Sequence, residues 1–164
     1  MWNYRTMQET SGKPDLDTQL DSILDEYEQA KHIKLPSINS PHIESYLNMD
    51  REYIEALSKD QCNSIAIELT QYGLYIQRLY NREKARLSFC NNTINKAAAT
   101  VWHNYSEYMK YDMKIYLIAQ ENPTVDKAIK IRNHAQIRLD DLDGLARIIE
   151  HMAGVISRSG YGKE

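Results

Sequence analysis

A long stretch without proline is the strongest constraint on how this chain folds. Residues 42–122 contain no proline, and Gly73 is the only glycine between Gly12 and Gly144. Proline and glycine are the residues that most often interrupt a helix, and no alternating run of Val, Ile and Thr favours strands here. The stretch therefore predicts helix, and the expected fold class is all-α.

Apolar residues recur along this stretch in steps of three and four, as in a coiled-coil seam. Ser58 and Gln61 have the spacing of a capping box, which predicts where the helix begins. The helix is expected to run from about Lys59 to Tyr108, a length of about 75 Å. Its apolar stripe consists of Ile65, Leu69, Tyr72, Ile76, Leu79, Leu87, Cys90, Ile94, Ala97, Val101, Tyr105 and Tyr108. So long a helix must be buried against a hairpin partner or against other subunits.

A second stripe supplies the hairpin partner. Asn122 and Pro123 fit the N-cap and the first helical position, and Ser159-Gly160 marks an end. The stripe between them, which Arg132 interrupts, consists of Val125, Ile129, Leu139, Leu142, Leu145, Ile149, Met152 and Ile156. The sequence thus predicts a long, coiled-coil-like helical hairpin with a short N-terminal helical arm. The residues expected to join subunits of a homo-oligomer are Leu142, Leu145, Ile149, Met152 and Ile156.

Residues 1–40 are predicted to form an acidic N-terminal arm, and residues 41–164 the hairpin domain. Asp15 or Asp17 can cap one amphipathic helix in the arm, which ends near Lys31. Its apolar positions are Leu16, Leu20, Ile23, Leu24 and Tyr27, and its acidic positions are Asp17, Asp21, Asp25 and Glu28.

A linker and two short helices are expected to follow the arm. The linker is predicted at residues 34–39. Ser40-Pro41 combines a cap residue with proline at the first helical position, and Asp50 can cap a further helix that reaches Leu57.

Charge is distributed unevenly along the chain. Residues 1–60 hold six Lys and Arg against twelve Asp and Glu, whereas residues 76–138 hold eleven against five. This pattern favours a polyanion-binding face, and it motivates the hypothesis that the acidic arm folds back onto that face and shields it. Ordinary surface charge that happens to cluster is the alternative.

The sequence shows no motif typical of catalysis. It has no glycine-rich phosphate loop and no nucleophile elbow, and none of the five histidines is spaced as a metal ligand. Asp140, Asp141 and Asp143 fit a solvated face better than a cation site. Cys62 and Cys90 do not suggest a disulfide framework, because one helix would hold them about 42 Å apart. The expectation is a cytoplasmic binding protein that is not an enzyme and has no metal, cofactor or membrane span.

Basic residues carry the functional prediction. Arg78, Arg82 and Arg86 form one ridge at intervals of four residues, and Lys96 falls on the same side. If the helix is continuous, Lys110 and Lys114 extend the row. Such a row suits a phosphate backbone, because phosphate contacts need charge and reach rather than base-edge geometry. Aromatic residues that can stack on unpaired bases are Trp102, Tyr105, Tyr108, Tyr111 and Tyr116.

Three short segments make the chain resemble a known family. The segments are Lys84-Ala85-Arg86-Leu87, Asp112-Met113-Lys114-Ile115 and Ile156-Ser157-Arg158-Ser159-Gly160-Tyr161. In order and spacing they are similar to segments of the UvsY family, the recombination mediators of T-even-like phages, over roughly residues 44–161. The first segment is similar to the family's K-A-R-L DNA-binding stretch, so the resemblance implies Lys84 and Arg86 as DNA-binding residues.

The resemblance also implies a function and partners. It implies an all-helical, ring-forming homo-oligomer in the cytoplasm of an infected bacterial host cell. Such a protein binds single-stranded DNA and loads a RecA-like recombinase onto DNA covered by single-strand-binding protein. With the ridge, the predicted DNA-binding residues are Arg78, Arg82, Lys84, Arg86, Lys96 and Lys114.

Two other classes of protein remain open from the sequence. A structural or assembly coiled-coil protein of a phage particle or packaging machine would carry the basic ridge as a solvated face or against an acidic partner. An adaptor would use the helix at residues 16–31 as an amphipathic docking segment.

Overall fold

The computed structural model describes residues 15–30 and 41–163, and the described residues form helices without strands. The linker predicted at residues 34–39 lies outside these ranges. Seven α-helices are described: α1 (Leu16–Ala30), α2 (Ile43–Leu47), α3 (Arg51–Ala56), α4 (Lys59–Val101), α5 (Tyr111–Glu121), α6 (Pro123–Leu142) and α7 (Leu145–Gly160). A 3₁₀ turn, Trp102–Asn104, follows α4. The predicted all-α class is confirmed.

Three helix starts follow the capping signals of the sequence. The start predicted from Ser40-Pro41 is wrong, because Pro41 lies in a turn and α2 begins at Ile43, where His42 provides no side-chain cap. The Ser58 side chain accepts a hydrogen bond from the Gln61 amide, and the Gln61 side chain accepts one from the Ser58 amide, so the capping box is complete. Asp50 caps α3 by accepting from the Tyr53 amide. Asn122 caps α6 with Pro123 in the first turn. These caps satisfy amides that have no partner within their own helix.

The antiparallel hairpin is formed by α4 on one side and by α6 and α7 together on the other. Arg138 of α6 lies 2.9 Å from Glu83, and Gly160 at the end of α7 reaches Cys62 near the start of α4. A Cβ added to Gly160 would lie 2.9 Å from the Cβ of Cys62, so only glycine permits this close approach. At 43 residues, α4 is about 64 Å long.

Two separate apolar clusters hold the hairpin together. The first packs α2, α3 and the N-terminal half of α4 against α7, with Leu69, Ile149 and Ile156 fully buried. The second packs α1, the C-terminal half of α4 and α5 against α6, with Ile94 and Val125 fully buried. Between the clusters α4 has a polar middle, and this middle carries the three ridge arginines.

The long helix is shorter than the sequence predicts. It ends at Val101 rather than near Tyr108, although no proline or glycine lies there. The chain turns so that Ile115 and Ile118 of α5 cover the end of the second cluster. This burial outweighs the helical tendency of the intervening residues, and Tyr108 is 97% exposed instead of lying on the seam.

The return arm is two helices rather than one. Gly144 has a φ of +73°, a left-handed conformation that ends α6 and starts α7 in a new direction. Within α6 the buried positions are Val125 and Leu139 of the predicted stripe together with Ala128 and Ala135, whereas Ile129 is only partly buried. Small residues there bring α6 close to α4.

The residues predicted to join subunits lie instead in the first cluster of the same chain. Ile149 and Ile156 are fully buried against α4, and Leu142, Leu145 and Met152 are partly buried around them. Their apolar surface is therefore used within the hairpin. Oligomerisation itself stays a prediction.

Candidate nucleic-acid interface

The arginine ridge exists as the sequence predicts, on one side of the polar middle of α4. Arg78, Arg82 and Arg86 follow one another at four-residue intervals along a continuous helix. Each step advances about 6 Å along the axis and about 40° around it. The three guanidinium groups therefore form a gently turning row.

The acidic face of α1 covers this row. Glu28 accepts hydrogen bonds from Arg78 Nε at 3.0 and 3.1 Å, and Asp25 accepts one from Arg82 at 2.7 Å. At the other end, Asp17 accepts one from Arg86 at 2.7 Å. Asp21 lies between them and pairs with both Arg82 and Arg86. The two helices run antiparallel, and every ridge arginine has at least one carboxylate partner.

Burial strengthens the ion pairs of Glu28 most, because the side chains of Asp17, Asp21 and Asp25 remain about half exposed. Arg86 and Glu28 are each only 9% exposed. The hydrogen bond from Arg78 is the largest influence on Glu28 and holds its pKa below the ordinary value, against the opposing effect of burial. Water screens such pairs less than it screens exposed ones, and a charge that loses its partner here is left poorly solvated.

Few apolar contacts add to the attachment of α1. Leu20 is 3% exposed in the second cluster, and Leu16 packs at its edge. Ile23 and Tyr27 remain exposed. Beside the start of α1, Lys127 of α6 donates a hydrogen bond of 2.8 Å to Asp15 and lowers the pKa of that carboxyl. Charge pairing, with one buried leucine, therefore holds α1 in place.

Lys84 and Lys96 differ from the arginines because both are exposed. Neither ammonium is paired with a carboxylate within the described residues. Lys84 lies two residues from Arg82 and so projects from the opposite side of α4. Lys96 continues the line of the ridge toward the C-terminal end of the helix. The structure thus distributes the predicted DNA-binding residues over two faces.

Lys114 does not extend the ridge. Its predicted place depended on a continuous helix through residue 114, but α4 ends at Val101 and Lys114 belongs to α5. Its side chain is 4% exposed, and its ammonium lies 4.3 Å from the centre of the Trp102 ring. Lys110 is exposed at the start of α5.

The aromatic residues also separate into different environments. Trp102 and Tyr111 form a tilted pair with ring centres 5.5 Å apart, and the Tyr111 hydroxyl donates to Asn95 Oδ1 at 2.8 Å. Tyr105 packs in the second cluster, whereas Tyr116 is exposed. Asn95 was missed by sequence reasoning. Its only signal is a seven-residue separation from Trp102, which places both on one helical face.

Other features of the described chain fit the predicted absences without testing them. Within residues 15–30 and 41–163, no three His, Cys, Asp or Glu side chains are grouped so as to hold a metal ion. Cys62 and Cys90 are buried free thiols, and burial raises the pKa of Cys90. Among the described helices, none combines the length and apolarity needed to cross a membrane.

Comparisons with models of protein families, with curated proteins and with solved structures find no match to this chain. The function must therefore be argued from the residues themselves.

Proposed function

We propose that this protein is a single-stranded DNA-binding recombination mediator, whose arginine ridge binds the phosphate backbone when α1 moves aside. One observation carries the proposal: the ridge holds a linear row of anionic groups, the carboxylates of Asp17, Asp21, Asp25 and Glu28. A DNA strand offers another linear row of anions. Arginine suits both, because its planar group donates paired hydrogen bonds to carboxylate or to phosphate.

In this proposal α1 is a tethered competitor of DNA. Its carboxylates imitate phosphates, and its covalent connection keeps it at a high effective concentration near the ridge. Exposed Lys84 and Lys96 make the first contacts with the strand. Displacement then exchanges one set of arginine–anion pairs for another, so the guanidinium groups are never left without a counter-charge.

The mediator role, the ring and the protein partners rest on the resemblance to the UvsY family. A ring would repeat the ridge in each subunit, and repetition raises avidity even where a single ridge binds weakly. Strand binding of this kind would loosen single-strand-binding protein and allow a RecA-like recombinase to assemble.

A structural or assembly role is the second candidate, and the same ion pairs favour it. A ridge whose arginines already have partners needs no external polyanion. Exposed apolar residues on α4 and α7, among them Ile67, Leu74 and Ile148, would then serve contacts in an assembly.

Fluorescence anisotropy of a labelled single-stranded oligonucleotide, at low and high salt, separates the two candidates. A mediator is expected to prefer the single strand to a duplex of equal length and to bind more weakly as salt rises. Asp21→Asn/Asp25→Asn is expected to bind more tightly, roughly tenfold, because two of the competing carboxylates are gone. Adding Arg82→Gln to that variant is expected to remove the gain.

Glu44→Gln/Glu52→Gln is the matched control, since it changes net charge equally at exposed sites on α2 and α3. It should bind as the wild-type protein does. If no variant binds DNA while light scattering shows an intact oligomer, the mediator proposal is wrong and the structural role is favoured.

A further inference from the structure

A shallow cavity lies at the C-terminal end of α4, on a face that α1 does not cover. It measures about 420 Å³ and is lined by Asn95, Ala98, Ala99, Trp102 and Tyr111. Two adjacent alanines lower the helix surface, so a flat group can approach the backbone closely. The two aromatic rings form a wall beside this floor. The shape and the apolar lining suit a planar ring of the size of a nucleobase.

The side-chain amide of Asn95, the polar group of the cavity, is oriented by a hydrogen bond from Tyr111. Because the Tyr111 hydroxyl donates to Asn95 Oδ1, the Asn95 amide nitrogen points away from Tyr111 with its N–H groups available. An N–H donor there can pair with a carbonyl oxygen or a ring nitrogen, and all four bases carry such acceptors. The cavity is therefore able to hold a base without selecting a sequence.

The ammonium group of Lys114 lies against the Trp102 ring. The Lys114 ammonium lies 4.3 Å from the Trp102 ring centre, is not among the groups that line the cavity, and has no carboxylate partner within the described chain. The electron-rich face of the ring attracts this charge and holds Trp102 in position beside the cavity.

Lys84 lies on the same face of α4 as this cavity. Eleven residues, close to three helical turns, separate Lys84 from Asn95, so the two side chains project in nearly the same direction about 16 Å apart. Lys84, Lys96 and Lys110 are exposed, with the latter two close in sequence to the lining residues. The surroundings are thus cationic while the cavity itself is apolar and amide-lined.

We propose that this cavity is a base-binding site, in which one unpaired nucleobase stacks on the Trp102–Tyr111 wall and accepts a hydrogen bond from Asn95. The proposal rests on the proposed binding of single-stranded DNA and assigns the base contact within it. Backbone phosphates farther along the strand contact Lys84, which lies on the same face of α4. The site is open while α1 covers the arginine ridge, so it receives the strand before the ridge does.

Titration of one protein with two oligonucleotides tests this site. One is oligo-dT, and the other is an abasic strand of equal length with the same phosphates. Trp102 fluorescence is recorded in a Trp2→Phe background, because Trp2 and Trp102 are the two tryptophans of the chain. Oligo-dT is expected to quench Trp102 and to bind at least about fivefold more tightly than the abasic strand, as one stacked base requires.

Ala99→Leu fills the floor of the cavity at an exposed position without touching the core, and it is expected to remove the preference for oligo-dT. Thr100→Leu adds similar bulk at the neighbouring exposed position outside the cavity and is expected to keep that preference. Circular dichroism confirms that both variants are folded.

The outcomes separate this site from the proposed function. Equal, salt-sensitive binding of the two strands overturns the base site and leaves phosphate binding intact. A preference for oligo-dT that persists in Ala99→Leu shows that bases bind elsewhere, which also overturns it. Failure of both strands to bind overturns the proposed function together with the site.

Discussion

Two faces of the same helix, α4, present basic residues in opposite states. On one face Arg78, Arg82 and Arg86 pair with carboxylates of α1, and Arg86 is almost completely buried. On the other face Lys84 is exposed, and the Trp102–Tyr111 cavity is open. The difference shows that a basic stripe indicates affinity for anions without indicating which anion occupies it. Here the chain itself supplies one.

The largest change in affinity for single-stranded DNA is expected when α1 detaches, because the arginine face of α4 then becomes as accessible as the face that carries Lys84. Leu20→Ala removes the buried leucine that fastens α1 to the second cluster, and truncation of a buried leucine costs about 2–5 kcal/mol. We expect α1 to detach and the affinity for single-stranded DNA to rise more than tenfold. Hydrogen exchange of α1 amides and fluorescence anisotropy measure the two consequences.

Ile23→Ala on the exposed side of α1 is the matched control and should leave both measurements unchanged. Protection of α1 in Leu20→Ala equal to that of the wild-type protein would contradict the idea that one leucine and the ion pairs hold this helix.

A smaller effect is expected from pH, which changes how firmly α1 docks on the arginine face of α4. Since Arg78 lowers the pKa of Glu28 from its ordinary 4.5, the contribution of Glu28 to α1 docking is present above that value. The contribution is lost as the pH falls through the lowered pKa. We therefore expect α1 to stay docked from neutral pH to about pH 4.5 and to loosen in more acidic solution.

A fluorophore on Ser22→Cys reports this release, because the two native cysteines are buried. In Glu28→Gln the signal should begin nearer to that of the detached helix and change less with acid. Identical acid titrations of the two proteins would show that Glu28 does not control docking.

The smallest effects are expected from the two exposed lysines of α4, Lys84 on the open face and Lys96 beyond the end of the arginine ridge. Lys84→Gln and Lys96→Gln each remove one exposed charge, so each should weaken single-strand binding a few-fold. Each should also reduce the slope of log affinity against log salt by about 1. Lys59→Gln at the exposed start of α4 is the control, and its slope should equal that of the wild-type protein. A slope unchanged in Lys84→Gln would remove Lys84 from the interface.

Several elements of the fold were predictable because their signals are local. The capping box at Ser58 and Gln61 and the Asn122-Pro123 start depend on residues within one turn of each other. The all-α class follows from helical spacing of apolar residues over long stretches. By contrast, the end of α4 at Val101 has no local breaker. It depends on burial of Ile115 and Ile118, which are more than a dozen residues away.

In the candidate site, too, some features were predictable from local sequence and others depended on tertiary contacts. The sequence by itself determined that three arginines share one side of a helix and that an acidic helix precedes them. Only the tertiary structure decided that Glu28 meets Arg78 and Asp17 meets Arg86, across separations of 50 and 69 residues. Spacing along one helix is set by its backbone geometry. Which carboxylate pairs with which arginine is set by the docking of α1 on α4, which Leu20 and the second cluster hold together. This burial and the charge pairing act through space rather than along the chain.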